Sequence, residues 1–221
     1  MRISEIINIL ISIPKTILLN FRHLPFPQAI KLPIWIAYNC KISIKGKIIL
    51  KRTPSLAMIR IGYHKVAIME PNEKTVIKVG KTGTLIFEGS AHIGKGSKIY
   101  VSNNAKLKLG DNFAISASTQ IFCQKSISFG RDIQFSWDCL VMDSDSHRIY
   151  VDGTQINADK GVSFGNKIWI GCRCTILKGS VIPDGCVIAA TSCTTGKNYE
   201  PNTIIAGIPA KSIKKISSWE I

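Results

Sequence analysis

Residues 162–194 read VSFGNKIWIGCRCTILKGSVIPDGCVIAATSCT, and their beat is six. Phe164, Ile170, Ile176, Ile182 and Ile188 recur at every sixth position, and Thr194 closes the run with a polar residue. Two places ahead of each lies a second track, Val162, Ile168, Cys174, Ser180, Cys186 and Ser192, which grows small toward the C-terminus. Gly165 and Gly171 follow the main track, while Gly179 and Gly185 fall between hexads. This period is neither the 3.6 of a helix nor the 2 of a long strand. It fits a short strand and a turn, repeated, with the main-track residue pointing inward beside a smaller neighbour. Three such sides close one triangular coil of about 18 residues, and stacked coils pair by parallel strand bonds and bury one another's apolar faces.

Working outward, the same beat appears at Phe87, Ile93 and Ile99, at Leu109, Ile115, Ile121 and Ile127, and at Phe129, Phe135 and Val141. The phase slips between runs, which implies turns of altered length outside the coil. The longest break, residues 142–161, has no hexad beat and carries Asp143, Asp145, His147, Arg148, Asp152 and Asp159. A long loop ejected from a regular solenoid is a place to look for function. Residues 1–60 contain five prolines (Pro14, Pro25, Pro27, Pro33 and Pro54) and broken apolar runs. They read as a helix, an irregular stretch and a first strand layer that caps the solenoid, since a bare end exposes core and strand edges. The expected organisation is a capping segment over 1–60, a solenoid over 61–209 with its ejected loop at 142–161, and a short C-terminal helix or arm over 210–221.

The chain has 221 residues, 45% of them hydrophobic, and a net charge of +15. Length and composition fit one globular domain with a small appendage. Residues 1–60 hold ten basic side chains and one acid, Glu5, so +9 of the charge sits at the front. Such an excess attracts anions. No helix-turn-helix, zinc-finger or RNP pattern accompanies it, so nucleic acid is not an expected partner. The apolar run Ile6–Ile13 is far shorter than the roughly 20 residues that span a bilayer. Pro14 interrupts it and no small-x-small cleavage site follows, which argues against a signal peptide. The seven cysteines form no C-x-x-C pair. They read as reduced, packed thiols of a cytoplasmic protein, with peripheral contact at the inner face of a membrane through the basic front as an attached expectation.

The local pattern with the most chemistry is Asp143-Ser144-Asp145-Ser146-His147. An imidazole titrates near neutral pH and can take a proton from a hydroxyl. A carboxylate can fix its tautomer and stabilise the imidazolium. The bland reading is a surface loop with chance acids.

Together, Asp143-x-Asp145-x-His147, Ile168-Trp169-Ile170-Gly171, Ile176-Leu177-Lys178-Gly179 and Ile205-Ala206-Gly207-Ile208-Pro209-Ala210-Lys211 resemble the hexapeptide-repeat acyltransferases, in particular bacterial polysaccharide and sugar O-acetyltransferases. The resemblance covers roughly residues 75–215 and implies an all-β, left-handed parallel β-helix, a homotrimer, and acetyl-CoA as co-substrate without a metal. The hand follows from the resemblance alone, since the period does not give it and crossover rules favour the right hand. It implies His147 as general base, oriented by Asp143 or Asp145, and a backbone N–H at Gly171 or Cys172 as oxyanion donor. It puts Trp169, Gly171, Cys172, Ala189, Ala190, Thr195, Lys197, Lys211 and Lys214 along the acetyl-CoA. Lys197 departs from the family pattern, because Gly196 separates it from Thr195. Ser136, Trp137, Arg148 and Tyr150 are the candidate contacts for a saccharide acceptor, aromatic faces being suited to sugar rings.

Two other functions compete. Zinc carbonic anhydrases share the solenoid but need several histidines converging on one metal, and His92 and His147 have no close histidine partners in sequence. A non-catalytic scaffold that binds glycan or membrane would need neither the acidic His loop nor the Trp-Ile-Gly segment.

Overall fold

The computed structural model describes residues 3–63, 66–67 and 73–220; His64 lies outside them. Both hexad tracks point inward: every one of the twelve positions from Val162 to Thr194 is buried. Trp169 pairs with Val187 and Ile170 with Ile188, eighteen residues on, so three hexads do close one coil. Among the described residues the strands stack into three sheets of nine, seven and six, parallel except for the last pair of the nine, and these form the sides of the solenoid. The slips of phase are longer coils. Phe113 pairs with Ile133 and Ala91 with Phe113, twenty and twenty-two residues apart. Ile133 pairs with Ile168, thirty-five residues on, because the 142–161 segment leaves the coil and returns to it.

The core is a single column down the axis. Phe129 stacks on Phe164 with ring centroids 4.5 Å apart, and Phe113 tilts against Phe129 at 5.0 Å. Full burial of each such side chain is worth about 1.5–3 kcal/mol. At the C-terminal end the tracks turn polar. There Ser180 and Thr194 satisfy each other through a hydroxyl pair at 3.0 Å, and Ser180 Oγ also donates to the Leu177 carbonyl at 2.7 Å. The corners are set by left-handed backbone at Lys167, Arg173, Gly179, Gly185 and Thr191, again six apart. Glycine adopts this region freely, whereas a side chain there is strained. Gly171 serves differently: a Cβ there would stand 2.6 Å from the Ala190 nitrogen, so it permits the close approach of successive coils.

The front holds the expected helix and first strand layer. Helix α1 (Ile3–His23) runs through Pro14, whose ring lies on the exposed side. The short helix α2 (Phe26–Ala29) follows. Strands Ile34–Ile36, Lys41–Ile44 and Lys47–Leu50 already belong to the three sheets, so the coil is under way well before residue 61. Helix α1 covers the first strand with side chains. Asn20 Nδ2 donates to the Ile34 carbonyl at 2.7 Å, Asn20 Oδ1 accepts from the Ile34 N–H at 3.1 Å, and Thr16 Oγ1 accepts from the Ile36 N–H at 3.3 Å. At the other end the expected helix or arm is a strand, Ala210–Lys215, which turns back through Ile208 and Pro209 and pairs antiparallel with Thr203–Gly207. Each device covers a sheet edge that would otherwise offer unpaired backbone groups.

Candidate active site

The ejected loop is ordered by its own residues. Tyr150–Val151 and Thr154–Gln155 form a two-stranded hairpin, with Asp152 and Gly153 at positive φ in the turn. Asn157 fastens its base: Oδ1 accepts from the Ile149 N–H at 2.7 Å, and Nδ2 donates to the His147 carbonyl at 2.8 Å and to Asp145 Oδ2 at 2.9 Å. Lys178, from the coil wall, donates to the same Asp145 oxygen at 2.5 Å and to the Asn157 carbonyl at 2.6 Å. The hydrogen bonds from Lys178 and Asn157 hold the Asp145 carboxyl below its ordinary range. The loop is thereby tied to the Ile176-Leu177-Lys178-Gly179 turn by a charge-assisted bond.

The two aspartates have parted roles. Asp143 is fully buried, and its carboxylate accepts from the backbone N–H groups of Gln124 (2.7 Å), Lys125 (2.9 Å) and Ser126 (2.6 Å). It is the anion that closes a turn of the preceding coil. Burial and the Asp143 charge push the neighbouring Cys123 thiol up to about 12. Asp143 therefore does not orient His147, contrary to one of the two sequence options. Asp145 does lie beside the imidazole, but through its carbonyl: His147 Nδ1 is 3.4 Å from the Asp145 oxygen, while the carboxylate faces Lys178 and Asn157. His147, Arg148 and Tyr150 are exposed.

The second cluster lies on the nine-stranded sheet. Trp169 stands outward from Ile168–Ile170 and its Nε1 donates to Ser136 Oγ at 3.2 Å. Trp219, which the sequence reading left out, folds its ring to 6.4 Å from Trp169 and donates to the Lys167 carbonyl at 2.9 Å. These residues and Gln134 line a cavity of about 230 Å³. The signal for Trp219 was a tryptophan in a short tail rich in lysine and serine. Trp137 is half-buried in the same strand as Ser136. Cys172 is half-buried next to the Trp169 strand. The Gly171 N–H already donates to the Ile188 carbonyl at 2.8 Å, so the ladder uses it and it does not serve as an oxyanion donor. The Ala189 N–H is likewise given to Ile205 at 2.9 Å. Ala190 is exposed at the following corner, Thr195 is half-buried one side further, and Lys197 is exposed. Lys211 and Lys214 are exposed on the C-terminal strand, paired in register with Ala206 and Ile204.

The chain thus carries an imidazole on a stapled loop that leaves the seven-stranded sheet after Leu140–Met142, and an aromatic cavity on the nine-stranded sheet. The strands from which they project belong to different sides of the solenoid.

The fold is the hexapeptide-repeat, left-handed β-helix seen in known acetyltransferases, and the comparisons support an acyltransferase. In sequence, the chain is 29% identical over 152 residues to the putative lipopolysaccharide biosynthesis O-acetyl transferase WbbJ of Escherichia coli (strain K12), covering 62% of this chain and 77% of that one. It is 30% identical over 155 residues to an uncharacterized 24.8 kDa protein in the cps region of Klebsiella pneumoniae, covering 67% and 66%. The crystal structure of the polySia specific acetyltransferase NeuO shares the fold, with a TM-score of 0.54, 22% identity, and coverage of 83% of this chain and 89% of that one. No family model matches the chain.

Proposed function

We propose that the protein transfers an acetyl group from acetyl-CoA to a hydroxyl of a saccharide during the assembly of a bacterial surface polysaccharide. The carrying observation is His147, exposed on a loop that Asn157 and Lys178 hold in place. The lipopolysaccharide and cps names of the two relatives support the saccharide as acceptor.

In this reading Nδ1–H of His147 donates to the Asp145 carbonyl, which leaves the lone pair on Nε2. Nε2 takes the proton of the acceptor hydroxyl as its oxygen attacks the thioester carbon. The negative charge on the carbonyl oxygen is met by the Cys172 N–H. When the intermediate collapses the C–S bond breaks, and the imidazolium returns its proton to the CoA sulfur. Trp169 and Trp219 flank the pantetheine arm, with Ala190 at the next corner. Thr195, Lys197, Lys211 and Lys214 serve the nucleotide end, where cations meet phosphates. Ser136, Trp137, Arg148 and Tyr150 face the acceptor. The working unit is a homotrimer, because His147 of one copy must reach the Trp169 cavity of another.

The test is thiol release from acetyl-CoA in the presence of a panel of sugars and oligosaccharides. Acceptor-dependent release, reduced about 10³-fold in His147→Ala with acetyl-CoA binding retained, is the expected result. Failure of the wild-type protein to bind acetyl-CoA overturns the donor assignment.

A further inference from the structure

Helix α1 is amphipathic in the reverse sense. A helix that packs on a globular body normally turns its apolar face inward. Here the inward face carries Ser12, Thr16 and Asn20, four residues apart and all buried, with Leu19 as its one buried apolar side chain among the described residues. Their work is to satisfy backbone groups: Asn20 and Thr16 hold the Ile34–Ile36 edge, and Ser12 Oγ bonds the Asn8 carbonyl at 2.6 Å. The outward face is apolar. Ile7, Leu10, Ile11, Leu18 and Phe21 are all exposed, Leu18 at 63%. The strip continues onto α2, where Phe26 is 68% exposed and its ring lies 6.0 Å from that of Phe21. Exposed apolar surface of this extent on one element marks an interaction site.

We infer that this face is a membrane-surface anchor, with α1 lying in the plane of an anionic lipid interface. Charge selects this occupant over a second copy of the chain. Residues 1–60 carry ten basic side chains and one acid. Arg22, Lys31, Lys41, Lys45 and Lys47 are exposed around the same end of the solenoid. Two such ends face to face would repel, whereas an anionic leaflet attracts each lysine or arginine near its surface. Large apolar side chains on one face with basic residues at its margin is the pattern of a helix that enters the headgroup layer. No helix among the described residues is long and apolar enough to cross a bilayer, so the helix lies on the surface. Beside it opens a cavity of about 390 Å³ lined by Ile9, Trp35, Leu56 and Tyr63 with Arg60. In it the buried Trp35 Nε1–H has no acceptor among the described residues. A lipid headgroup oxygen would supply one. The inference is independent of the transfer reaction.

The experiment is sedimentation of the full chain with vesicles of phosphatidylcholine alone and of phosphatidylcholine with phosphatidylglycerol, at moderate salt. The wild-type protein should partition onto the anionic vesicles, and Leu10→Ser/Leu18→Ser/Phe21→Ser should bind at least about 10-fold more weakly. All three positions are exposed, so the thermal melt of the variant should match wild type. Hydrogen exchange on the unmutated protein gives a second reading: amides of α1 should gain protection only with anionic vesicles. Absence of vesicle binding by wild type overturns the inference. Equal binding by the variant overturns it too, since basic charge alone would then suffice. A wild-type oligomer that the variant loses, without vesicle binding, would assign the face to another copy of the chain.

Discussion

Asp143 and Asp145 stand two residues apart in one motif and perform opposite tasks. Sequence motif reading treats them as equals, because both flank the histidine. Alternation alone puts Val141, Asp143 and Asp145 on one side; what separates the two aspartates is that the chain leaves the coil between them, so that Asp143 is buried and Asp145 exposed. Inside, a carboxylate survives only with donors, and three backbone N–H groups provide them. Asp143→Ala strands those donors and should lower stability by about 3 kcal/mol, read as a drop in the denaturation midpoint at unchanged slope. An unaltered midpoint accompanied by lost turnover would return Asp143 to the catalytic machinery. Asp145, outside the coil, is free to fasten the loop to Lys178. The Lys178 partnership was not legible, because thirty-three residues separate it from Asp145 and only the coil register juxtaposes them.

At the scale of the elements, the hexad from Val162 to Thr194 was readable because each side of the coil is short, regular and buried on one face. The earlier coils were harder, since turns of variable length shift the phase while the strands still stack in register. The hairpin in the loop had a local signal, Asp152-Gly153 between Val151 and Thr154, which is the composition that two-residue hairpin turns favour. It was obscured by the interest of the acids around it. Corner positions were the least legible, because Lys167, Arg173 and Thr191 adopt backbone that sequence rules assign to glycine or asparagine. Stacking of the coils imposes that conformation. Two substitutions separate this strain from the close approach at Gly171. Lys167→Gly should raise stability by about 0.5–1 kcal/mol by relieving a left-handed side-chain residue. Gly171→Ala should lower it by about 2 kcal/mol, because the new methyl meets the Ala190 backbone. Thermal melts of the two single variants decide the matter. A Gly171→Ala melt at or above wild type would mean that the spacing of the coils has room for the added methyl.

For the whole molecule, the two clusters of functional residues project from different sides of one solenoid. Sequence supplies the residue types, whereas the side on which each falls depends on the coil count between them. His147 leaves the wall after the seven-stranded sheet's Leu140–Met142 strand, and Trp169 stands on the nine-stranded sheet. In the proposed reaction a site built from both draws on a neighbouring copy in a closed, heterologous ring. That arrangement has a consequence a monomeric site lacks. His147→Ala and Trp169→Ala each damage a different half of every site. When the two variants are unfolded together, mixed in equal amounts and refolded, about one site in four should receive an intact histidine from one copy and an intact tryptophan from the next. With donor held below its KM, the mixture should recover close to a quarter of wild-type turnover while either variant refolded alone stays low. Recovery that is absent, although native mass spectrometry shows mixed oligomers, would mean that His147 and Trp169 of the same chain serve the same site. The loop would then have to swing around a corner of the solenoid, against the Asn157 and Lys178 bonds that hold it.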